Sequence, residues 1–263
     1  MKSNQPIGIF DSGVGGLSIW KEIVDLLPNE NTIYLADSKN APYGQKSKQS
    51  IIDLSVKNTE YLLEKGCKII VIACNTATTN AIDYLRGRFD VPFIGIEPAI
   101  KPAALQTKTN AIGILATQGT LTSALFHSTS NKFTEGIEVV EQVGEGLVSL
   151  IENGEIESKE MEALLYKYLK PMLDKQIDYL VLGCSHYPFL IPQIRKVIGD
   201  KITIIDSGQA VAKQTKAVLN MDSLLSLKNK KSSHQLFSNR DVAFLLHIVK
   251  DFDRDVDVNY LDF

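Results

Sequence analysis

The chain alternates short apolar runs with longer stretches whose apolar residues recur at helical spacing. The runs at 7–10, 32–35, 69–73, 93–96, 111–115, 179–182 and 202–205 are rich in Ile, Val and Leu and nearly free of charge. Runs this apolar suit strands buried on both faces, as in parallel sheets covered by helices. Between them, residues 49–65, 76–89 and 161–170 carry apolar stripes that suit one face of a helix. The pattern predicts an α/β fold of doubly wound parallel sheets.

Two segments repeat. Ile7-Gly8-Ile9-Phe10-Asp11-Ser12-Gly13 is echoed by Ile112-Gly113-Ile114-Leu115-Ala116-Thr117-Gln118-Gly119, and Val71-Ile72-Ala73-Cys74-Asn75-Thr76 by Val181-Leu182-Gly183-Cys184-Ser185-His186. The offsets, 105 residues from 7 to 112 and 110 from 71 to 181, suit two related domains with one small insertion. Buried strands draw on the same few residue types, so chance similarity is the alternative; the paired cysteines favour duplication. Glu97-Pro98 and Asp206-Ser207-Gly208 read as crossings between the halves. The expected domains are then residues 1–97 with 208–263, and 98–207, related by pseudo-symmetry. The tail carries a helix pattern at 210–219 and a last apolar stretch at 242–249, whose placement the pattern leaves open.

Composition narrows the classes. The 263 residues allow one large domain or two modest ones, with two small cores the favoured outcome. A net charge of −3 gives no electrostatic reason to expect nucleic acid or an anionic membrane as partner. The one basic run, Lys228-Asn229-Lys230-Lys231, reads as a solvated loop among Ser and Asn. No stretch approaches the roughly 18 apolar residues of a membrane span, and the first residues lack the pattern of a signal peptide, so a cytoplasmic location is expected. Three cysteines, Cys67, Cys74 and Cys184, without C-x-x-C spacing argue against a disulfide framework. Each is then an inert core residue, a metal ligand or a reactive group.

In open parallel sheets ligands bind beyond the carboxyl ends of the strands, and Cys74 and Cys184 both fall there. A thiol just ahead of a helix meets the positive end of its dipole, which lowers the pKa as a proton-abstracting sulfur requires. A free cysteine after an apolar strand is more often a small buried hydrophobe; that reading suits Cys67, and the matched placement of the other two favours function. Asn75-Thr76 and Ser185-His186 offer donors beside a helix start, a natural carboxylate site, although each also serves as an ordinary cap. His186, two positions from a thiol, suits thiolate stabilisation or proton relay, with a structural hydrogen bond as the alternative. Asp11-Ser12-Gly13-Val14-Gly15-Gly16-Leu17 opens a helix but lacks both G-x-G-x-x-G and a P-loop ending. Its glycines suit a small anion or tight packing, and Asp11 either faces the cleft or caps a turn. Ala41-Pro42-Tyr43-Gly44 reads first as a turn and second as a loop covering a site. Three scattered ligands, Cys74, Cys184 and His186, make a poor metal site, so no metal is expected. G-x-S-x-G is absent.

Taken in order, Gly8-Ile9-Phe10-Asp11-Ser12-Gly13-Val14-Gly15-Gly16-Leu17, Pro42-Tyr43-Gly44, Ala73-Cys74-Asn75-Thr76-Ala77 and Gly183-Cys184-Ser185-His186-Tyr187-Pro188 resemble the motif set of the glutamate racemase family, within the aspartate/glutamate racemase superfamily. The resemblance covers about residues 7–207. It implies two doubly wound parallel-sheet domains with the active site in the cleft between them, racemisation of L- to D-glutamate for peptidoglycan, no pyridoxal phosphate or other cofactor, and a homodimer. It assigns Cys74 to deprotonating D-glutamate and Cys184 to deprotonating L-glutamate, with Asp11 assisting the first and His186 the second; Glu152 falls at a further assisting position. Substrate contacts carry over to Asp11, Ser12, Tyr43, Gly44, Asn75, Thr76, Ser185 and His186. Ser185 stands where the family usually has Thr, and the match at Glu152 rests on Leu147-Val148 and the following Glu-Asn-Gly. The competing readings are a relative acting on aspartate or another amino acid, and a non-catalytic amino-acid-binding module.

Overall fold

The computed structural model describes residues 2–226, 232–250, 252 and 254–263; the basic run Lys228-Asn229-Lys230-Lys231 lies outside the described residues. Among the described residues, ten strands form two parallel sheets. Strands β1 (Ile7–Asp11), β2 (Thr32–Ala36), β3 (Ile69–Ile72) and β4 (Phe93–Gly95) belong to the first. Strands β5 (Ala111–Ala116), β6 (Glu138–Val143), β7 (Tyr179–Gly183) and β8 (Thr203–Ile205) form the second. Strands β9 (His234–Ser238) and β10 (Val256–Tyr260) return to the first sheet. The orders are β10-β9-β2-β1-β3-β4 and β6-β5-β7-β8, with every pairing parallel.

The α/β reading therefore holds, and the repeat seen in the sequence has a counterpart in topology. Strand β1 lies between β2 and β3 with β4 outside; β5 lies between β6 and β7 with β8 outside. The two echoing cysteine segments follow the corresponding strands β3 and β7. In each sheet the first strand is the point where the order reverses, which leaves a crevice at the carboxyl ends. The central strands β1, β3 and β5 are buried along their whole length because helices cover both faces.

The expectation of two separate cores needs correction. One apolar cluster runs from Leu17, Trp20 and Ile23 under the first sheet to Leu165, Leu169 and Tyr187 of the second unit. Two further clusters lie around Phe10, Ile51 and Leu85 and around Ile112, Ile114 and Phe126. The helix Gly208–Met221 packs against Leu17–Leu26, and the last apolar stretch is the helix Ala243–Val249. Lys68, wholly buried at the base of β3, donates to Glu30 Oε2 (2.6 Å) and to the carbonyls of Ser3 (2.6 Å) and Leu224 (2.8 Å). That pins the start of the chain and the tail beneath the first sheet; a buried charge with all its donors used is the form such an ion tolerates.

Candidate active site

Cys74 and Cys184 line one cavity. Ser12, Tyr43, Gly44, Asn75, Thr76, Ser185 and His186 line it with them, and Pro42, Thr117 and Val148 complete the wall. Asp11 and Glu152 do not reach its surface but hold residues that do. The cavity is nearly shut, with about 10 Å³, room for roughly one water. A neighbouring cavity of about 250 Å³ shares Pro42, Gly44, Thr117 and Val148 with it.

On the first-sheet side, Cys74 caps the helix Asn75–Arg88 and its Sγ accepts the Ala77 N–H at 3.4 Å. The thiol lies 3.6 Å from Ser12 Oγ. The expectation of a lowered pKa is not met in this closed cavity: burial, and after it the charge of Asp11, push the Cys74 thiol well up, and the Ala77 N–H and Ser12 only partly offset them. Cys74 rests here as the neutral thiol. Asp11, fully buried, accepts the Gly13 N–H (3.1 Å) and the Ser185 hydroxyl (2.9 Å). Burial raises its pKa against the pull of His186 and Ser185. Asn75 is buried, and neither its Oδ1 nor its Nδ2 has a hydrogen-bond partner among the described residues. A buried amide left unpaired is costly, and its place on the cavity wall suits a polar ligand.

On the second-sheet side, His186 Nδ1 lies 3.8 Å from Cys184 Sγ and its Nε2 lies 2.6 Å from Glu152 Oε1. Burial opposes charge on the imidazole, but the hydrogen bonds to Cys184 and Glu152 and the charges of Asp11 and Glu152 outweigh it and hold the pKa well above its ordinary value. Burial would likewise raise the Glu152 pKa, yet His186, the Val14 N–H (2.7 Å) and the Ser38 hydroxyl (2.8 Å) hold it low. The raised His186 pKa favours the imidazolium, the form able to donate from Nδ1 to sulfur. The units also meet through Thr76 Oγ1, 2.8 Å from Thr117 Oγ1, and through Ser18, which donates to the Ser185 carbonyl at 2.9 Å.

The glycines of the first loop are there for close approach. A Cβ on Gly13 would stand 1.9 Å from Glu152 Oε1, and one on Gly15 would stand 2.2 Å from His186 Nδ1. Only hydrogen lets this loop lie against the Glu152–His186 pair.

The family model of the Asp/Glu/Hydantoin racemases matches residues 7–215. The chain belongs to that family. It is 44% identical over 245 residues to the glutamate racemase of Herpetosiphon aurantiacus, covering 93% of this chain and 96% of that one. Among solved structures it is similar to the Francisella tularensis glutamate racemase in complex with D-glutamate, at 29% identity and TM-score 0.83, with 98% of each chain covered. It is also similar to the Escherichia coli glutamate racemase in complex with L-glutamate and the activator UDP-MurNAc-ala, at 31% identity and TM-score 0.85, again with 98% of each chain covered. This amino-acid racemase thus brings its two echoing cysteine segments to a single cavity.

Other residues of the racemase escaped the sequence reading. Asp37, Ser38, Thr117, Val148 and Asn239 sit in or behind the wall. Thr117 alone left a trace, since it occupies the position in the second half that Ser12 holds in the first. The turn bearing Tyr43 proves to be both turn and wall, with Tyr43 and Gly44 buried on the cavity.

Proposed function

We propose that this racemase interconverts L- and D-glutamate without a cofactor, using Cys74 and Cys184 on opposite faces of Cα. Inversion needs a base on one face and an acid on the other. A thiolate takes the Cα proton while the opposite thiol gives one, so each turnover leaves the pair in the reverse protonation state, to be reset through solvent. The observation that carries the reading is the presence of both sulfurs on one cavity, each just beyond the strand that corresponds to the other's, beside the unpaired Asn75 amide. The raised pKa of Cys74 suits the proton donor of the L-to-D direction. His186 Nδ1, 3.8 Å from Cys184 Sγ, stands beside the sulfur that would act as the base of that direction. Asp11 orients Ser185 and Glu152 orients His186. Ser12, Tyr43, Gly44, Asn75, Thr76, Ser185 and His186 would contact the substrate, with N–H groups at the helix start taking a carboxylate.

Residues 1–97 with 208–263 and residues 98–207 would act as two domains that part to admit glutamate and close to exclude water. The near-absence of space in the cavity supports that motion. A cytoplasmic homodimer feeding peptidoglycan belongs to the same reading and rests on the family resemblance. Offered L-glutamate and L-aspartate in deuterated water, the protein should invert and exchange glutamate alone. Exchange confined to aspartate would overturn the substrate; binding of glutamate with neither exchange nor inversion would overturn the chemistry.

A further inference from the structure

Among the described residues, none after His186 lines the cavity, yet a side chain from the C-terminal segment supports one that does. Tyr43 is buried on the cavity wall, where its phenol donates to Asp37 Oδ2 and accepts from Asn58 Nδ2 at 3.3 Å. Asp37, directly after β2 and only 2% exposed, accepts on Oδ1 from Asn40 Nδ2 (2.8 Å) and from Asn239 Nδ2 (2.5 Å). Asn239 directly follows β9, which pairs with β2, and is itself 3% exposed. Its Oδ1 accepts the Lys39 N–H at 2.9 Å. One amide therefore holds two points of the 37–39 segment that leads into the loop carrying Pro42, Tyr43 and Gly44.

We propose that Asn239 is a positioning residue for the racemase reaction: through Asp37 it fixes Tyr43, and with it the wall of residues 42–44, beside Cys74. The chemistry of the site singles out an amide. Asn offers donors and an acceptor on one short fork. An aliphatic residue would leave Asp37 Oδ1 short of one donor and the Lys39 N–H without its acceptor, and a carboxylate would set two acceptors against each other in a low dielectric. Sheet pairing explains how a segment without any catalytic motif comes to act: β9 extends the first sheet beyond β2, so the loops after both strands emerge side by side.

The effect on turnover rests on the glutamate reading; the effect on Cys74 access does not, and the test separates them. We compare the parent, Asn239→Asp, and the double variant Asp37→Asn with Asn239→Asp, which exchanges donor and acceptor while keeping an acceptor for the Tyr43 phenol and for the Lys39 N–H, the half-buried Asn40 amide turning to offer its oxygen to the new donor. Two readouts are taken: KM and kcat for glutamate, and the alkylation rate of Cys74 by iodoacetamide relative to Cys67, followed by peptide mass. Asn239→Asp should raise KM about tenfold, the scale of one buried hydrogen bond, and speed alkylation of Cys74 but not of Cys67. The double variant should bring both readouts most of the way back. Unchanged KM and alkylation in Asn239→Asp, a double variant no better than the single one, or equal acceleration at Cys67 overturns the proposal. If the parent leaves glutamate untouched, the substrate reading falls and the alkylation ratio alone decides the role of Asn239.

Discussion

Glu152 Oε1 stands 2.6 Å from His186 Nε2, and the same oxygen receives the Val14 N–H at 2.7 Å. One carboxylate thus holds the imidazolium that faces Cys184 and touches the first-sheet loop. The folded state raises the His186 pKa above its ordinary 6.5 and lowers that of Glu152 below its ordinary 4.5. The His186 contribution to stability is full below 6.5 and is lost as pH rises through the folded value; the Glu152 contribution is full above 4.5 and is lost as pH falls through its folded value. The pair therefore stabilises most between these limits. Glu152→Gln should cost about 1–3 kcal/mol there, with the melting-temperature gap to the parent narrowing at strongly acid and at alkaline pH. A gap independent of pH would show that charge at Glu152 contributes nothing.

The two sulfurs should separate by substrate face rather than by overall rate. Enantiomers are equal in energy in water, so any variant must lose kcat/KM equally in both directions; Cys74→Ser and Cys184→Ser should each lose about 10²–10⁴-fold. Face specificity shows in deuterium wash-in without inversion. Cys184→Ser should still exchange the Cα proton of D-glutamate and fail on L-glutamate, and Cys74→Ser should do the reverse. The opposite pattern would exchange the assignments of Cys74 and Cys184.

Gly13→Ala and Gly15→Ala place a methyl where Glu152 Oε1 and His186 Nδ1 now stand. Gly13→Ala must displace a carboxylate with three hydrogen-bond partners, and Gly15→Ala the imidazole itself. Activity should fall at least about a hundredfold in each, the scale of a lost acid–base group, with both proteins folded by circular dichroism. Parent-like kcat in Gly15→Ala would mean that His186 need not hold its position.

What was legible in the sequence tracks burial. The central strands β1, β3, β5 and β7 have helices over both faces and so read as unbroken apolar runs. Edge strands β6 and β10 are half open to solvent, and Glu138, Glu141, Asp257 and Asn259 interrupt them, which hid both. Strand β9 alternates burial along its length and was hidden for the same reason. At the site, Cys74, Cys184, Asn75 and His186 were visible because each lies within three residues of the end of a readable strand. Asp37 and Asn239 were not, since each follows a strand as an ordinary turn residue would and matters only through the pairing of β2 with β9. Thr117 showed only as the counterpart of Ser12 in the repeat, and Val148 depends on how the two sheets come together at the cavity, which no local pattern encodes.

Asn75 gives the sharpest separation of function from stability. Its Oδ1 and Nδ2 are buried and find no hydrogen-bond partner among the described residues, and a buried polar atom gains from a substrate contact that pairs it. Asn75→Ala removes both polar atoms and leaves a small gap beside Cys74. Its melting temperature should stay at or slightly above that of the parent, within the change expected of about 1 kcal/mol, because the lost packing is offset by the removed penalty. KM for glutamate should rise by about tenfold or more, as for one lost buried hydrogen bond. A variant that melts well below the parent and keeps its KM would make Asn75 a structural residue, and the carboxylate contact would have to come from Thr76 or Ser185. A variant with parent stability and raised KM places the unpaired amide on the substrate, where its two idle atoms find partners.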